Sequence, residues 1–249
     1  LVAQVDFPGY KNHVGEDLTS ACWDVSSRGH KQIWGLAQQP EERHRVATDF
    51  NLCDVDALDD ERSVRYWLGE GVVYFAVQGN DPSCQEELCN IEKRCEFLTD
   101  SSFEDPYHAL QALANKQFGD ECVDISWEQQ IQDLTVVSDE NMGERSWLWQ
   151  TCTEFGYYQT CQLLDCPFLV NGHTLDFDIE LCEHAFGVVN VQENIDATNE
   201  WHGGWNLTSS KIISVKGSVD PWSELALPNS YSTGDLPVFE IQGASHHFR

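Results

Sequence analysis

The chain has 249 residues, 14 Lys plus Arg against 42 Asp plus Glu, and a formal net charge of −28. That balance excludes partners held by neutralising phosphates, whether nucleic acid or an anionic membrane surface. At 41% hydrophobic with nine Trp, the chain is too apolar for an acidic disordered tail, and its length suits one large folded domain or a domain carrying an insertion.

From the amino end, the first 120 residues read as mostly helical, polar and punctuated by cysteine. Within residues 59–77, Val64, Trp67, Leu68, Val72 and Phe75 fall on an approximate helical stripe. Asp105 and Pro106 open a second helix, the aspartate as cap and the proline in the first turn. Tyr107, Leu110, Leu113 and Ala114 form its apolar face, and Gly119 ends it. Such stripes build core and carry no chemistry; Trp147, Trp149 and Trp222 are likewise read as core aromatics. Toward the carboxyl end, residues 211–215 and 236–241 are short apolar runs, each followed by Gly, as buried parallel strands would be. Pro237 belongs at the start of the second, where its missing N–H does least harm. A helix-rich first half and a strand–loop–strand ending predict an α/β fold with a helical insertion.

Most of the ten cysteines are widely spaced and no Cys-x-x-Cys pair occurs, which disfavours zinc and favours disulfides made on a secretory route. Asn206-Leu207-Thr208 is a glycosylation sequon consistent with that route. There is no run of about 18 apolar residues to span a membrane. No Asp-x-Asp-x-Asp-Gly calcium loop occurs, and His202, His246 and His247 lack the spacing of a zinc site, so neither metal nor cofactor is expected.

Two residues stand just beyond the carboxyl ends of the predicted strands: Asp220 in VKGSVDPW and His246 in IQGASHHFR. Open α/β sheets place functional groups on such loops. Asp followed by His is also the chain order of the last two members of an α/β-hydrolase triad. The chemistry needs an imidazole to take a nucleophile's proton and a carboxylate to orient that imidazole. By spacing alone, Asp-Pro-Trp could equally cap a turn, and the two histidines could lie on the surface.

The segments RSWLWQTCTEFGYYQTC (Arg145 to Cys161), VKGSVDPW and GASHH, with Cys166-Pro167-Phe168 between them, together resemble the lysosomal Pro-Xaa carboxypeptidase family of serine peptidases, which includes prolyl carboxypeptidase and dipeptidyl peptidase 2. The likeness is nearest the family's thymus-specific branch. It implies an α/β-hydrolase with an inserted helical cap: residues 1–118 as the cap region, and residues 119–249 as the carboxyl-terminal part of the hydrolase domain. It implies Asp220 as triad acid and His246 as general base, with His247 at a neighbouring position. Peptides are the implied substrates, cleaved near chain termini in an endosomal, lysosomal or extracellular compartment. Self-association as a homodimer is compatible with this. Glu154 is a candidate partner for a substrate amine, against the alternative that it satisfies buried backbone.

The resemblance also implies the pairing Cys22–Cys89, Cys53–Cys122, Cys84–Cys95, Cys152–Cys182 and Cys161–Cys166. No Gly-x-Ser-x-Gly nucleophile elbow occurs in the sequence, and Ser218 and Ser245 lack the strand–elbow–helix context. With Leu1 first and Met142 the sole methionine, the expectation is a piece of a longer peptidase, inactive by itself because the serine lies elsewhere. A catalytically inactive relative acting as a secreted binding protein would carry the same motifs.

Overall fold

The computed structural model describes residues 4–6, 18–72, 80–139 and 141–246. The chain is mixed helix and sheet and divides into two compact units.

One unit comprises Lys11–Glu128 and Thr160–Thr174. Its helices are α1 (Ser20–Ala37), α2 (Arg43–Asp49), α3 (Glu61–Glu70), α4 (Ile91–Leu98) and α5 (Pro106–Phe118). All of these but α2 start at a side-chain cap that satisfies first-turn N–H groups. Thr19 accepts from the Cys22 N–H, Asp60 from Arg62 and Ser63, Asn90 from Lys93, and Asp105 from His108. The predicted helix opening at Asp105-Pro106 is α5, which buries Tyr107, Leu110, Leu113 and Ala114 and ends at Gly119. The earlier stripe is shorter than its periodicity predicts. α3 stops at Gly71, whose φ of 88° lies in the left-handed region, and Phe75 falls outside the described residues. Val64, Leu68 and Val72 are buried as expected.

Close packing in this unit depends on a glycine: a Cβ at Gly29 of α1 would collide with Leu110 of α5. The core is built on Ile33, Phe50, Leu58, Leu68, Leu110 and Leu113, all nearly inaccessible. Phe50 meets Trp67 and Tyr107 edge-on at 5.5 Å. Tyr107 donates its hydroxyl to Asp49 Oδ2 at 2.6 Å. Buried Arg94 donates to the Leu88 carbonyl and to Gln117 Oε1, and burial lowers its pKa to about 10, so it stays charged.

A single cut after residue 118 does not describe the division, because Thr160–Thr174 joins the helical unit. The reason is backbone hydrogen bonding. Leu169 N–H donates to Leu68 O, and the Pro167 carbonyl accepts from Ser26 Oγ. Gly69 and Gly172 lie back to back so tightly that a Cβ on either would strike the other's backbone neighbourhood.

The second unit comprises Leu1–Tyr10, Gln129–Gln159 and Leu175–Arg249. It contains β1 (Gln4–Asp6), most of α6 (Trp127–Thr135), α7 (Met142–Gln150), a π-helical turn (Thr151–Phe155), β2 (Gly156–Tyr158), α8 (Leu175–Phe186) and α9 (Val191–His202). β3 (Ser214–Gly217) and β4 (Val238–Ile241) follow. β1 pairs with β2 and β3 with β4, both parallel. Cys152, Tyr158, Cys182, Val188, Val191 and Ile195 form its core cluster. Tyr158 donates its hydroxyl to Cys182 Sγ at 3.0 Å, and burial raises the phenol's pKa.

Two expectations are corrected in this unit. The strands predicted as buried are exposed: Val215 is 57% and Phe239 54% accessible. β3 and β4 form only a two-stranded sheet among the described residues, which leaves faces that parallel sheets normally cover. Trp147 and Trp149 are also not core, at 42% and 44% exposed, because α7 buries none of its residues.

All ten cysteines lie among the described residues and pair as Cys22–Cys95, Cys53–Cys122, Cys84–Cys89, Cys152–Cys182 and Cys161–Cys166. The expected Cys22–Cys89 and Cys84–Cys95 pairs are therefore exchanged. Cys95 lies on the buried face of α4, where it meets fully buried Cys22 on α1. Cys89 precedes α4, only five residues from Cys84, and closes a local loop with it.

Candidate active site

The loops that leave β3 and β4 are bonded to each other. Ser218 N–H donates to Ile241 O at 3.1 Å, Val219 N–H to Ala244 O at 3.1 Å, and Gly243 N–H to Ser218 Oγ at 2.9 Å. Gly217 makes this approach sterically allowed, since a Cβ there would collide with the Ala244 carbonyl. Gly243 adopts φ 71°, which turns the chain after β4 back toward the β3 loop. The result is that Asp220 and His246, 26 residues apart in sequence, meet: Asp220 Oδ2 accepts from His246 Nδ1 at 3.1 Å.

Asp220 is 9% exposed and caps the short 3₁₀ turn Pro221–Leu225. Its Oδ1 accepts from the Trp222 N–H at 2.9 Å, so both carboxylate oxygens are engaged and the side chain cannot swing away. With Nδ1–H donating to a carboxylate, the neutral imidazole carries its lone pair on Nε2, the atom that takes a proton in acid–base catalysis. The His246 side chain is 26% exposed, which suits a base that must meet a substrate.

An aromatic series adjoins the pair. The Trp222 ring lies 5.9 Å from the His246 ring and 6.2 Å from Tyr157, which is 5.0 Å from Phe155. Burial raises the Tyr157 phenol's pKa, so it stays neutral near pH 7. Tyr157 has φ 70°, a left-handed conformation that costs a non-glycine residue about 1–2 kcal/mol.

The remaining sequence candidates are placed as follows. Glu154 sits exposed in the π-helical turn, outside the Asp220–His246 contact. Ser218 serves as the acceptor that joins the two loops, and Ser245 is buried; neither stands on a strand–elbow–helix turn. Asn206 is exposed. His247 lies outside the described residues. No group of three or more His, Cys, Asp or Glu that could hold a metal occurs among the described residues. Sequence reasoning missed the Trp222 N–H and Gly217, which hold the pair in place. The Gly of VKGSVDPW was the one available signal.

An Asp–His pair on adjoining loops at the carboxyl ends of neighbouring parallel strands matches the acid and base of a serine-hydrolase triad. The chain belongs to the Serine carboxypeptidase S28 family, whose sequence profile matches residues 1–249. Members similar to it are named as serine proteases. The thymus-specific serine protease of Mus musculus is 28% identical over 267 residues, covering 100% of this chain and 52% of that protein. Its Homo sapiens counterpart is 29% identical over 268 residues, covering 98% and 50%. A protein of Arthroderma benhamiae named "Probable extracellular serine carboxypeptidase" is 28% identical over 121 residues, covering 42% and 15%. The chain spans about half the length of the mouse and human relatives.

Proposed function

We propose that this chain contributes the acid and base of a serine-peptidase triad, Asp220 and His246, to a protein that hydrolyses peptide bonds near chain termini. The observation that carries this reading is the 3.1 Å bond from His246 Nδ1 to Asp220 Oδ2, with the second oxygen held by the Trp222 N–H. In the proposed cycle a serine hydroxyl attacks the scissile carbonyl while His246 Nε2 takes its proton. The resulting imidazolium, stabilised by Asp220, passes that proton to the leaving amine. Water then attacks the acyl-enzyme with His246 again as base, releasing the carboxyl product and restoring the serine.

The serine is assigned to the half of the parent protein that this chain does not span, because no Gly-x-Ser-x-Gly occurs in the 249 residues. The fold reading is an α/β-hydrolase that carries the helical unit as its inserted cap. Five disulfides and an exposed sequon support passage through the secretory pathway to an endolysosomal or extracellular site.

The test is a parent-length protein labelled with a fluorophosphonate and assayed on peptides blocked at one end or the other. Wild type should label at one serine and cleave only substrates with a free terminus. Substitution of His246→Ala should abolish both labelling and cleavage. Full activity of that variant would sink the assignment. Failure of wild type to label would identify an inactive relative.

A further inference from the structure

α9 ends at His202, Gly203 follows with φ 84°, and the chain turns over Gly203–Asn206, where the Asn206 N–H donates to the Gly203 carbonyl at 2.8 Å. Residues 206–210 then run without regular secondary structure, with Asn206 and Thr208 both exposed. Beside this turn lies an open cleft of about 450 Å³, whose lining includes Glu200, Gly204, Trp205, Asn206 and Tyr231. The Trp205 and Tyr231 rings stand 6.3 Å apart at 57°, and Trp205 Nε1–H donates to the Leu225 carbonyl, which fixes the indole.

Asn206 is thus both the acceptor position of an Asn-Leu-Thr sequon and a wall of an aromatic cleft. A pyranose presents apolar C–H faces and a polar rim. Trp205 and Tyr231 suit the former, and the Glu200 carboxylate can accept from the latter. We propose that Asn206 carries an N-linked glycan whose first N-acetylhexosamine lies in this cleft against Trp205 and Tyr231. In the transfer, Asn206 Nδ2 bonds to C1 of a lipid-diphosphate oligosaccharide, displacing the lipid diphosphate and losing one proton. The attached sugar begins at the rim of the cleft, so occupying it requires no long linker. The proposal rests on the secretory reading above and is independent of the peptidase reading.

The test uses parent-length protein secreted from a eukaryotic host. Disulfide mapping first checks that the oxidising route was followed, and glycopeptide mass spectrometry then reads Asn206. Asn206 should be occupied, and a Thr208→Ala variant should lose the glycan. Peptide N-glycosidase should release the glycan from native protein about tenfold more slowly than from a Tyr231→Leu variant, because release requires the sugar to leave its seat. Both proteins should release equally fast once denatured. Nuclear Overhauser contacts between the Trp205 indole and the first sugar give a second readout that needs no variant. An unmodified Asn206 in protein whose disulfides have formed would overturn the proposal while leaving the secretory reading intact. Equal native release rates with no indole–sugar contact would overturn the seating.

Discussion

Protonation of His30 should make the helical unit lose stability in acid by an amount the structure defines. His30 is fully buried on α1; its Nδ1–H donates to the Ser26 carbonyl at 2.7 Å, and its Nε2 accepts from the Val72 N–H at 3.1 Å. The Phe168 ring packs edge-on at 5.3 Å. Burial disfavours the charged ring and outweighs the opposing bond to the Ser26 carbonyl, so the folded-state pKa falls from 6.5 to about 4. The unfolded chain therefore binds this proton first. Stability is fully present well above pH 6.5, declines as pH falls from about 6.5 to about 4, and is lost by about 3 kcal/mol below that window.

Between pH 7 and pH 5 the loss is about 2 kcal/mol. In a His30→Leu variant this titration is absent, while the Val72 N–H is orphaned at a cost of about 1–3 kcal/mol at pH 7. Urea unfolding followed by far-UV circular dichroism at the two pH values gives the difference of differences, in which the other titrating groups cancel. The penalty of the substitution should shrink by about 2 kcal/mol at pH 5. A penalty that is the same at both pH values would refute the reasoning.

Four further outcomes follow from other contacts. Asp220→Asn in an active parent should lower kcat/KM by about 10³–10⁴-fold with little change in Tm, because the amide favours the wrong His246 tautomer; wild-type kinetics would contradict it. Gly217→Ala should separate the β3 and β4 loops at Ala244 and reduce fluorophosphonate labelling well before it affects the helical unit's unfolding. Tyr107→Phe should cost about 1.5–3 kcal/mol in urea unfolding by deleting a short bond to a carboxylate. Non-reducing peptide mapping should find Cys22 joined to Cys95, and opening that 73-residue separation by Cys22→Ser with Cys95→Ser should cost about 4 kcal/mol in the chain-entropy estimate.

The sequence by itself determined whatever depends on local chemistry. Asp105, Pro106 and Gly119 bounded α5 because caps and breakers act within a turn of where they stand. The Asp220 and His246 motifs were legible because each follows an apolar run that leads into a strand: residues 214–215 of the first run enter β3, and residues 238–241 of the second are β4. The charge of −28 and the lack of a Cys-x-x-Cys pair are likewise read without reference to any contact.

Only tertiary structure decided what depends on two distant segments meeting. Cys95 and Cys89 are six residues apart, and the choice between them turned on which one α4 aims at Cys22. Thr160–Thr174 follows β2 in sequence yet belongs to the helical unit, through hydrogen bonds to α1 and α3 that no local pattern encodes. The exposed faces of β3 and β4 likewise differ from their buried-strand sequence, since burial is set by what packs above a strand. The 3.1 Å contact between His246 and Asp220 is of the same kind: each residue announces its type, and the parallel register of β3 with β4 brings the two together.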